Sequence, residues 1–339
     1  MSDPTNLLIT VPFADEHIAA LQKRFPALNI TLHPNAQDEP ISDELWAQTE
    51  ILYTHRVLPE VEQAPKLRWI QFHIAGVDRY IHLPIIQSEN TVVSTLSGAN
   101  APQTAEHALA LLLALSHNIP NMLSDQSRSK WSARRLERYK PRELYGSTVG
   151  IVGYGSVGQQ LARLLQSFNT TILASKRDLV QADEDEYHIG DAGGNAEDLV
   201  RRLYPGKALR SMFKDCDFVV VCVPLNKETS NMIGAQQLKA LKPHAYLVDV
   251  SRGSVLDHKA LIEALKNEQF AGAALDVFPE EPLPADSPLW DMPNVLISPH
   301  VAGLSPHYEQ RALELFTANL DRYLAGEDVL NQVDIERGY

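Results

Sequence analysis

The stretch TVGIVGYGSVGQQLARLL, beginning at Thr148, constrains the fold more than any other part of the chain. It places Gly153, Gly155 and Gly158 at the end of an apolar run and the opening of a helical pattern. In such a strand–turn–helix unit the first glycine permits the tight turn, the second lets backbone approach a pyrophosphate, and the third allows close helix–strand packing. The phosphates then meet a helix N-terminus, where unpaired N–H groups and the helix dipole favour negative charge. A glycine triplet alone also fits a plain tight turn. Strand before, helix after and another strand at the right distance favour dinucleotide binding.

That next strand, TTILASKR, carries the cofactor choice. An NAD-selective site usually has an Asp or Glu about 20 residues after the glycine motif, bonded to the ribose 2′-hydroxyl. Here Ser175, Lys176 and Arg177 occupy the neighbourhood. A carboxylate would repel a 2′-phosphate, whereas Lys and Arg pair with one. The expected cofactor is therefore NAD(P) with NADP favoured; the alternative is a solvated strand end with Asp178 in the acid's role. Candidate cofactor-binding residues are Gly153, Tyr154, Gly155, Ser156, Val157 and Gly158 in the turn, Ser175, Lys176 and Arg177 beyond it, and Pro224 after DFVVVCVPL.

Around this unit the pattern is α/β throughout. NLLITVPF, EHIAALQKRF, NITLHP, SDELWAQT, EILYTHR, KLRWIQFHI and TVVSTL alternate apolar runs with helical patterns. This is the signature of βαβ units and a mostly parallel sheet. A second series runs from STVGIVGYG through TTILASKR, DFVVVCVPL, AYLVDVSRG, FAGAALDVF and NVLISPH, and predicts a sheet covered on both faces. With 339 residues, two domains are expected. Between the series, QTAEHALALLLALS is apolar on nearly every side, which predicts a helix buried between domains or subunits. The polar stretch from Asp178 to Met212 reads as a surface insertion followed by a returning helix, with no assignable chemistry.

The formal charge of −13 argues against nucleic acid and anionic membrane as partners. It leaves a small anionic substrate open, because one or two arginines and some N–H groups make a local positive pocket. Two cysteines, Cys216 and Cys222, and an N-terminus without a basic region followed by a long apolar run point to a cytoplasmic protein. His55, His73 and His82 do not stand at metal-ligand spacing, so no metal is expected. His107 and His117, on or near the apolar helix, read as packing or capping residues. His73, His307 and Tyr308 are candidates for lining a substrate pocket.

Three later segments, VDVSRGSVLD, ALDVFPEEPLP and LISPHVAG, complete the set. Together with GYGSVG, IAGVDRY and the run-up WSARRLERYKPRELYGSTVGIVG, and in this order, they closely resemble the D-isomer-specific 2-hydroxyacid dehydrogenase family, over about Lys66 to Gly303. The resemblance implies two doubly wound α/β domains. A flavodoxin-like substrate domain would take residues 1–100 with 304–339, and a Rossmann dinucleotide-binding domain 101–303. The active site would lie in the cleft between them. It also implies Arg252, Glu281 and His300 as the catalytic set, Ala75 and Gly76 as N–H donors to the substrate carboxylate beside Arg252, Asp276 facing the nicotinamide carboxamide, and a homodimer.

These residue types suit hydride transfer to a 2-keto acid. Charge builds on the carbonyl oxygen as hydride arrives, and an imidazole titrating near neutrality can supply the proton there. A carboxylate on the other ring nitrogen fixes the tautomer and favours the imidazolium. A guanidinium can fork onto the carboxylate and carbonyl oxygens. Each residue also has a plain structural reading: Arg252 in an ion pair, Glu280 and Glu281 in a solvated loop, His300 in a core. Rival functions are a relative with another hydride partner, such as formate or phosphite, and a nucleotide-sensing corepressor built on the same fold.

Overall fold

Short runs of branched apolar residues form parallel strands buried on both faces, and the segments between them form the covering helices. The computed structural model describes residues 4–34, 36, 38–177, 187 and 196–339. It divides into two units. The first takes the chain up to Ala99, the piece containing Tyr187, and Ser305–Tyr339; the second takes the rest. Tyr187 joins the first unit through its N–H, which donates to Asn331 Oδ1 at 2.9 Å.

The first unit opens with β1 (Thr5–Ile9), α1 (Asp15–Arg24), β2 (Leu28–Leu32), α2 (Asp43–Gln48), β3 (Ile51–Thr54), β4 (Trp69–Phe72) and β5 (Val92–Ser94). Its five strands are all parallel, in the order β2-β1-β3-β4-β5, the flavodoxin-like order.

In the second unit, α3 (Ala101–Ser116), α4 (Ile119–Ser127) and α5 (Arg135–Arg138) precede β6 (Thr148–Val152), α6 (Ser156–Gln166), β7 (Thr171–Lys176) and β8 (Arg202–Pro205). Then come α7 (Leu209–Phe213), β9 (Phe218–Val221), α8 (Ala235–Leu238), β10 (Tyr246–Asp249), α9 (His258–Lys266), β11 (Gly272–Leu275) and β12 (Val295–Ile297). The seven strands run parallel in the order β12-β11-β10-β9-β6-β7-β8. The order reverses between β6 and β9, so a topological switch point opens beyond their carboxyl ends. The chain then returns to the first unit as α10 (Tyr308–Ala325), whose Phe316 and Leu320 are fully buried in one cluster with Tyr53 and Trp69.

One expectation changes in detail. The stretch read as insertion and returning helix contributes a strand, β8, paired with β7 from Leu173↔Arg202 to Lys176↔Pro205. An edge strand has one neighbour and one half-covered surface, so RLYP needs only the buried Tyr204 to hold it, with Arg202 stacked 4.5 Å over the Tyr204 ring. One face of the apolar helix α3 packs within its own unit. Ala105, Ala108 and Leu112 share a core with Val149, Ile151 and Leu161 of β6 and α6.

Candidate active site

The glycine turn sits at the switch point, between the end of β6 and the start of α6. Gly153 has a φ of 100°, a conformation that favours glycine. A Cβ on Gly158 would lie 2.2 Å from the Gly153 carbonyl oxygen, so the helix packs against the turn only because that position is bare. At Gly155 a Cβ would meet nothing within 4 Å, which leaves the turn open to a ligand. Gly155 caps α6 and Ser156, Val157 and Gly158 form its first turn, whose N–H groups have no intrahelical acceptor. Tyr154 points inward, 2% exposed in the core, so only its backbone is available to a dinucleotide.

Neighbouring strands enclose this turn. The Gly153 N–H donates to Ser175 O at 3.1 Å, which brings the end of β7 alongside. Ser175 is buried, Lys176 half-buried and Arg177 exposed; Asp178 lies outside the described residues. On the other side, the Cys222 thiol donates to Gly153 O at 3.1 Å, and Pro224 follows two residues later at the surface. Burial first, then the nearby Asp249, pushes the Cys222 thiol up to about 12. These residues fit a dinucleotide: an open, glycine-lined turn, a helix N-terminus and cationic side chains after the next strand.

The three candidate catalytic residues follow the carboxyl ends of adjacent strands, Arg252 after β10, Glu281 after β11 and His300 after β12. His300 Nδ1 lies 2.8 Å from Glu281 Oε2, while Glu281 Oε1 accepts the Phe278 N–H at 3.0 Å. The carboxylate is therefore fixed at one oxygen and orients the ring with the other, leaving Nε2 as the nitrogen that can face a substrate. Glu280 has no such partner among the described residues and is exposed. Arg252 is half-buried, with Nη1 donating to Ser251 O at 2.9 Å. Its turn abuts the Glu281 loop at Gly253, where a Cβ would lie 1.9 Å from the Phe278 carbonyl carbon.

Beneath these ends lie two buried carboxyl groups. Asp276, 1% exposed, bonds three successive residues of the His300 turn. Its carbonyl accepts the His300 N–H at 2.8 Å, Oδ1 the Val301 N–H at 3.0 Å and Oδ2 the Ala302 N–H at 3.0 Å. Ser298 Oγ also donates to Oδ1, and His107 Nε2 lies 2.9 Å from Ser298 Oγ. Asp249 is fully buried; its Oδ1 accepts the Ser251 hydroxyl and N–H, and Oδ2 has no partner among the described residues. Burial pushes the Asp249 carboxyl up to about 7, against those two hydrogen bonds.

In the first unit, Ala75 and Gly76 follow β4 in an irregular, half-buried turn. Among the described residues neither N–H donates to a protein acceptor. Two adjacent unpaired N–H groups form a concavity suited to an anion. His73, just upstream, has Nδ1 2.6 Å from Tyr53 Oη, and Tyr308 Oη donates to His73 O at 3.0 Å. Burial, more than the nearby His55, lowers the His73 imidazole to about 4. His307 caps α10 from an exposed position.

Residues 109–302 match the model of the NAD binding domain of the D-isomer specific 2-hydroxyacid dehydrogenases. Over 281 residues the chain is 35% identical to a glyoxylate reductase of Pyrococcus furiosus, covering 81% of this chain and 79% of that one. The chain belongs to the D-isomer specific 2-hydroxyacid dehydrogenase family. A glyoxylate reductase of Korarchaeum cryptofilum is also 35% identical, over 81% of this chain and 78% of its own. Among solved structures, a D-isomer specific 2-hydroxyacid dehydrogenase of Xanthobacter autotrophicus Py2, in complex with NADPH and MES, superposes with a TM-score of 0.80. Identity there is 28%, over 99% of this chain and 100% of that one. This dehydrogenase is accordingly an NAD(P)-dependent oxidoreductase that moves a hydride between the nicotinamide and a small 2-keto or 2-hydroxy acid.

Sequence reading of this dehydrogenase passed over Ser298 and took His107 for a packing or capping residue. The signal for Ser298 is its place two residues before the histidine of SPH. Nothing local marks His107, because its partner is 191 residues away in sequence.

Proposed function

We propose that this dehydrogenase works mainly as a reductase of small 2-keto acids, glyoxylate and hydroxypyruvate foremost, with NADPH as donor and the D configuration in any chiral product. The observation that carries the reading is the His300–Glu281 pair, 2.8 Å apart at the carboxyl edge of the sheet that also bears the glycine turn. Gly153 to Gly158 and the N-terminus of α6 would hold the pyrophosphate, and Ser175, Lys176 and Arg177 the ribose 2′-phosphate. Asp276 Oδ2 accepts one backbone N–H and keeps acceptor capacity for the carboxamide. The bound dinucleotide supplies the hydride.

The protein's own residues bind, orient and protonate. Ala75 and Gly76 donate their N–H groups to the substrate carboxylate, and the Arg252 guanidinium anchors the acid and stabilises charge growing on the carbonyl oxygen. His300, with Nδ1 tied to Glu281, delivers a proton from Nε2 to that oxygen and accepts it in the oxidative direction. His73 and Tyr308 are proposed to shape the side-chain end of the pocket. Both cysteines are thiols, which suits a reducing cytoplasm. We also infer a homodimer from the apolar surface between α4 and α5, where Leu123 is 58%, Trp131 85% and Leu136 81% exposed.

Initial rates with glyoxylate, hydroxypyruvate and pyruvate, each with NADPH and NADH, test the reading. We expect saturation kinetics on at least one acid and kcat/KM at least about tenfold higher with NADPH, the loss with NADH expected when the cationic side chains lack their phosphate partner. Equal or better efficiency with NADH overturns the cofactor preference. Tight cofactor binding without turnover on any acid overturns the enzymatic reading in favour of a nucleotide sensor.

A further inference from the structure

His300 has a φ of 53°, in the left-handed region that a side chain with a Cβ enters at a cost of about 1–2 kcal/mol. Such a conformation persists only where the surroundings over-determine it. The main-chain hold here comes from one residue: Asp276 takes the N–H groups of residues 300, 301 and 302, with its carbonyl, Oδ1 and Oδ2 in turn. A carboxyl group at a strand end must itself be held to act this way, since rotation about its side-chain bonds would release both N–H groups. The hold comes from Ser298, and behind Ser298 from His107 on α3.

Hydrogen counting gives this chain a direction. The Ser298 hydroxyl has one proton and donates it to Asp276 Oδ1. Its oxygen therefore accepts from His107, whose Nε2 must carry the hydrogen. His107 Nε2 is also 3.6 Å from Asp276 Oδ1, with the imidazole only 22% exposed. Beside it on the helix, Ala108 and Leu111 are in the core and Thr104, one turn back, is buried with its hydroxyl donated to Asn100 O. A half-buried imidazole among those residues is costly unless hydrogen-bonded, and Ser298 is the partner that accounts for it.

We propose that His107 and Ser298 are positioning residues for the reaction: through Asp276 they hold the His300 turn in its left-handed conformation, and with it the imidazole against Glu281. The proposal rests on the reading of His300 as the proton donor. It places the support for that donor on α3, an element from the opposite end of the unit's sequence. Displacement of a reacting group by about 1 Å costs on the order of 10²-fold in rate, so slackening the turn acts on kcat. Substrate affinity is set by other groups and stays; cofactor affinity changes little, because the dinucleotide is held mainly at the glycine turn and the 2′-phosphate residues, although Asp276 is also proposed to face the carboxamide.

The test uses the full-length enzyme with H107L, H107Q, S298A and H107L/S298A, beside H300N. Steady-state kcat and KM are measured with NADPH and the best acid, the Kd for NADPH by fluorescence, and Tm for each variant. We expect kcat of H107L to fall about tenfold with KM and Kd within about twofold, a partial misplacement of the acid. H107Q, whose amide can still donate to Ser298, should recover most of the loss. The double variant should be no worse than S298A, because both substitutions break one chain. The proposal is overturned if H107L keeps kcat within about twofold, if H107Q is as impaired as H107L, if the two losses multiply, or if Kd for NADPH rises in place of a fall in kcat. A fully active H300N overturns the reading of His300 itself. An inactive H300N with a normal H107L overturns the positioning role alone.

Discussion

Glu281 and Glu280 are adjacent in sequence, yet only Glu281 has one oxygen fixed by the Phe278 N–H and the other 2.8 Å from His300. Alanine at Glu281 should lower kcat about 10²-fold or more, the scale of a lost acid–base partner, while alanine at Glu280 leaves it within about twofold. The reverse pattern in steady-state rates would contradict the pairing. Asp249 carries a pH signature of a different kind. Its folded value of about 7 lies above the value of about 3.9 for an unfolded aspartate, so the native protein holds a proton that the unfolded chain releases. The stability this contributes is complete below about pH 3.9 and is lost as pH rises through about 7. Thermal melts between about pH 5 and pH 8.5 should therefore slope downward more steeply for the wild type than for D249N; identical slopes would show that Asp249 does not titrate in that window.

Elements meet at this site through close backbone approaches. The turn after β10 touches the loop after β11 at Gly253, where a Cβ would sit 1.9 Å from Phe278 C and 2.2 Å from Phe278 O. G253A must separate the Arg252 turn from the Glu281 loop. We expect a loss of about 1–3 kcal/mol in urea denaturation, the range for overpacking a closed site, together with a fall in kcat/KM. Unchanged stability would mean that the loops are not fastened there. At this scale the motifs were legible, because a glycine next to an arginine after an apolar strand is a local pattern. The strand β8 was not, because an edge strand borrows its stability from β7 and needs little hydrophobic pattern of its own. The inward turn of Tyr154 was also hidden, since strand ends alternate faces and the sequence does not mark which face is core.

At the scale of the molecule, the large apolar residues exposed among the described residues fall most densely between α4 and the start of β6 rather than on α3. Leu123, Trp131, Leu136 and Tyr145 are 58%, 85%, 81% and 67% exposed. If this surface is covered by a second copy, W131D/L136D should sediment as a monomer at micromolar concentration with its fold intact by circular dichroism. Wild type and variant with the same sedimentation coefficient would place any interface elsewhere. The sequence by itself determined the parallel α/β class, the glycine turn at the head of α6, and the order of the Arg252, Glu281 and His300 motifs. Each of these rests on periodicity or on neighbours within a few residues. Only the tertiary structure decided that β6 and β9 flank the switch point, that Glu281 lies within hydrogen-bond distance of His300, and that His107 stands behind Asp276. Those pairings join residues 19 to 191 positions apart. Their geometry depends on how strands order themselves in a sheet and on which helix covers them, and no local pattern encodes either.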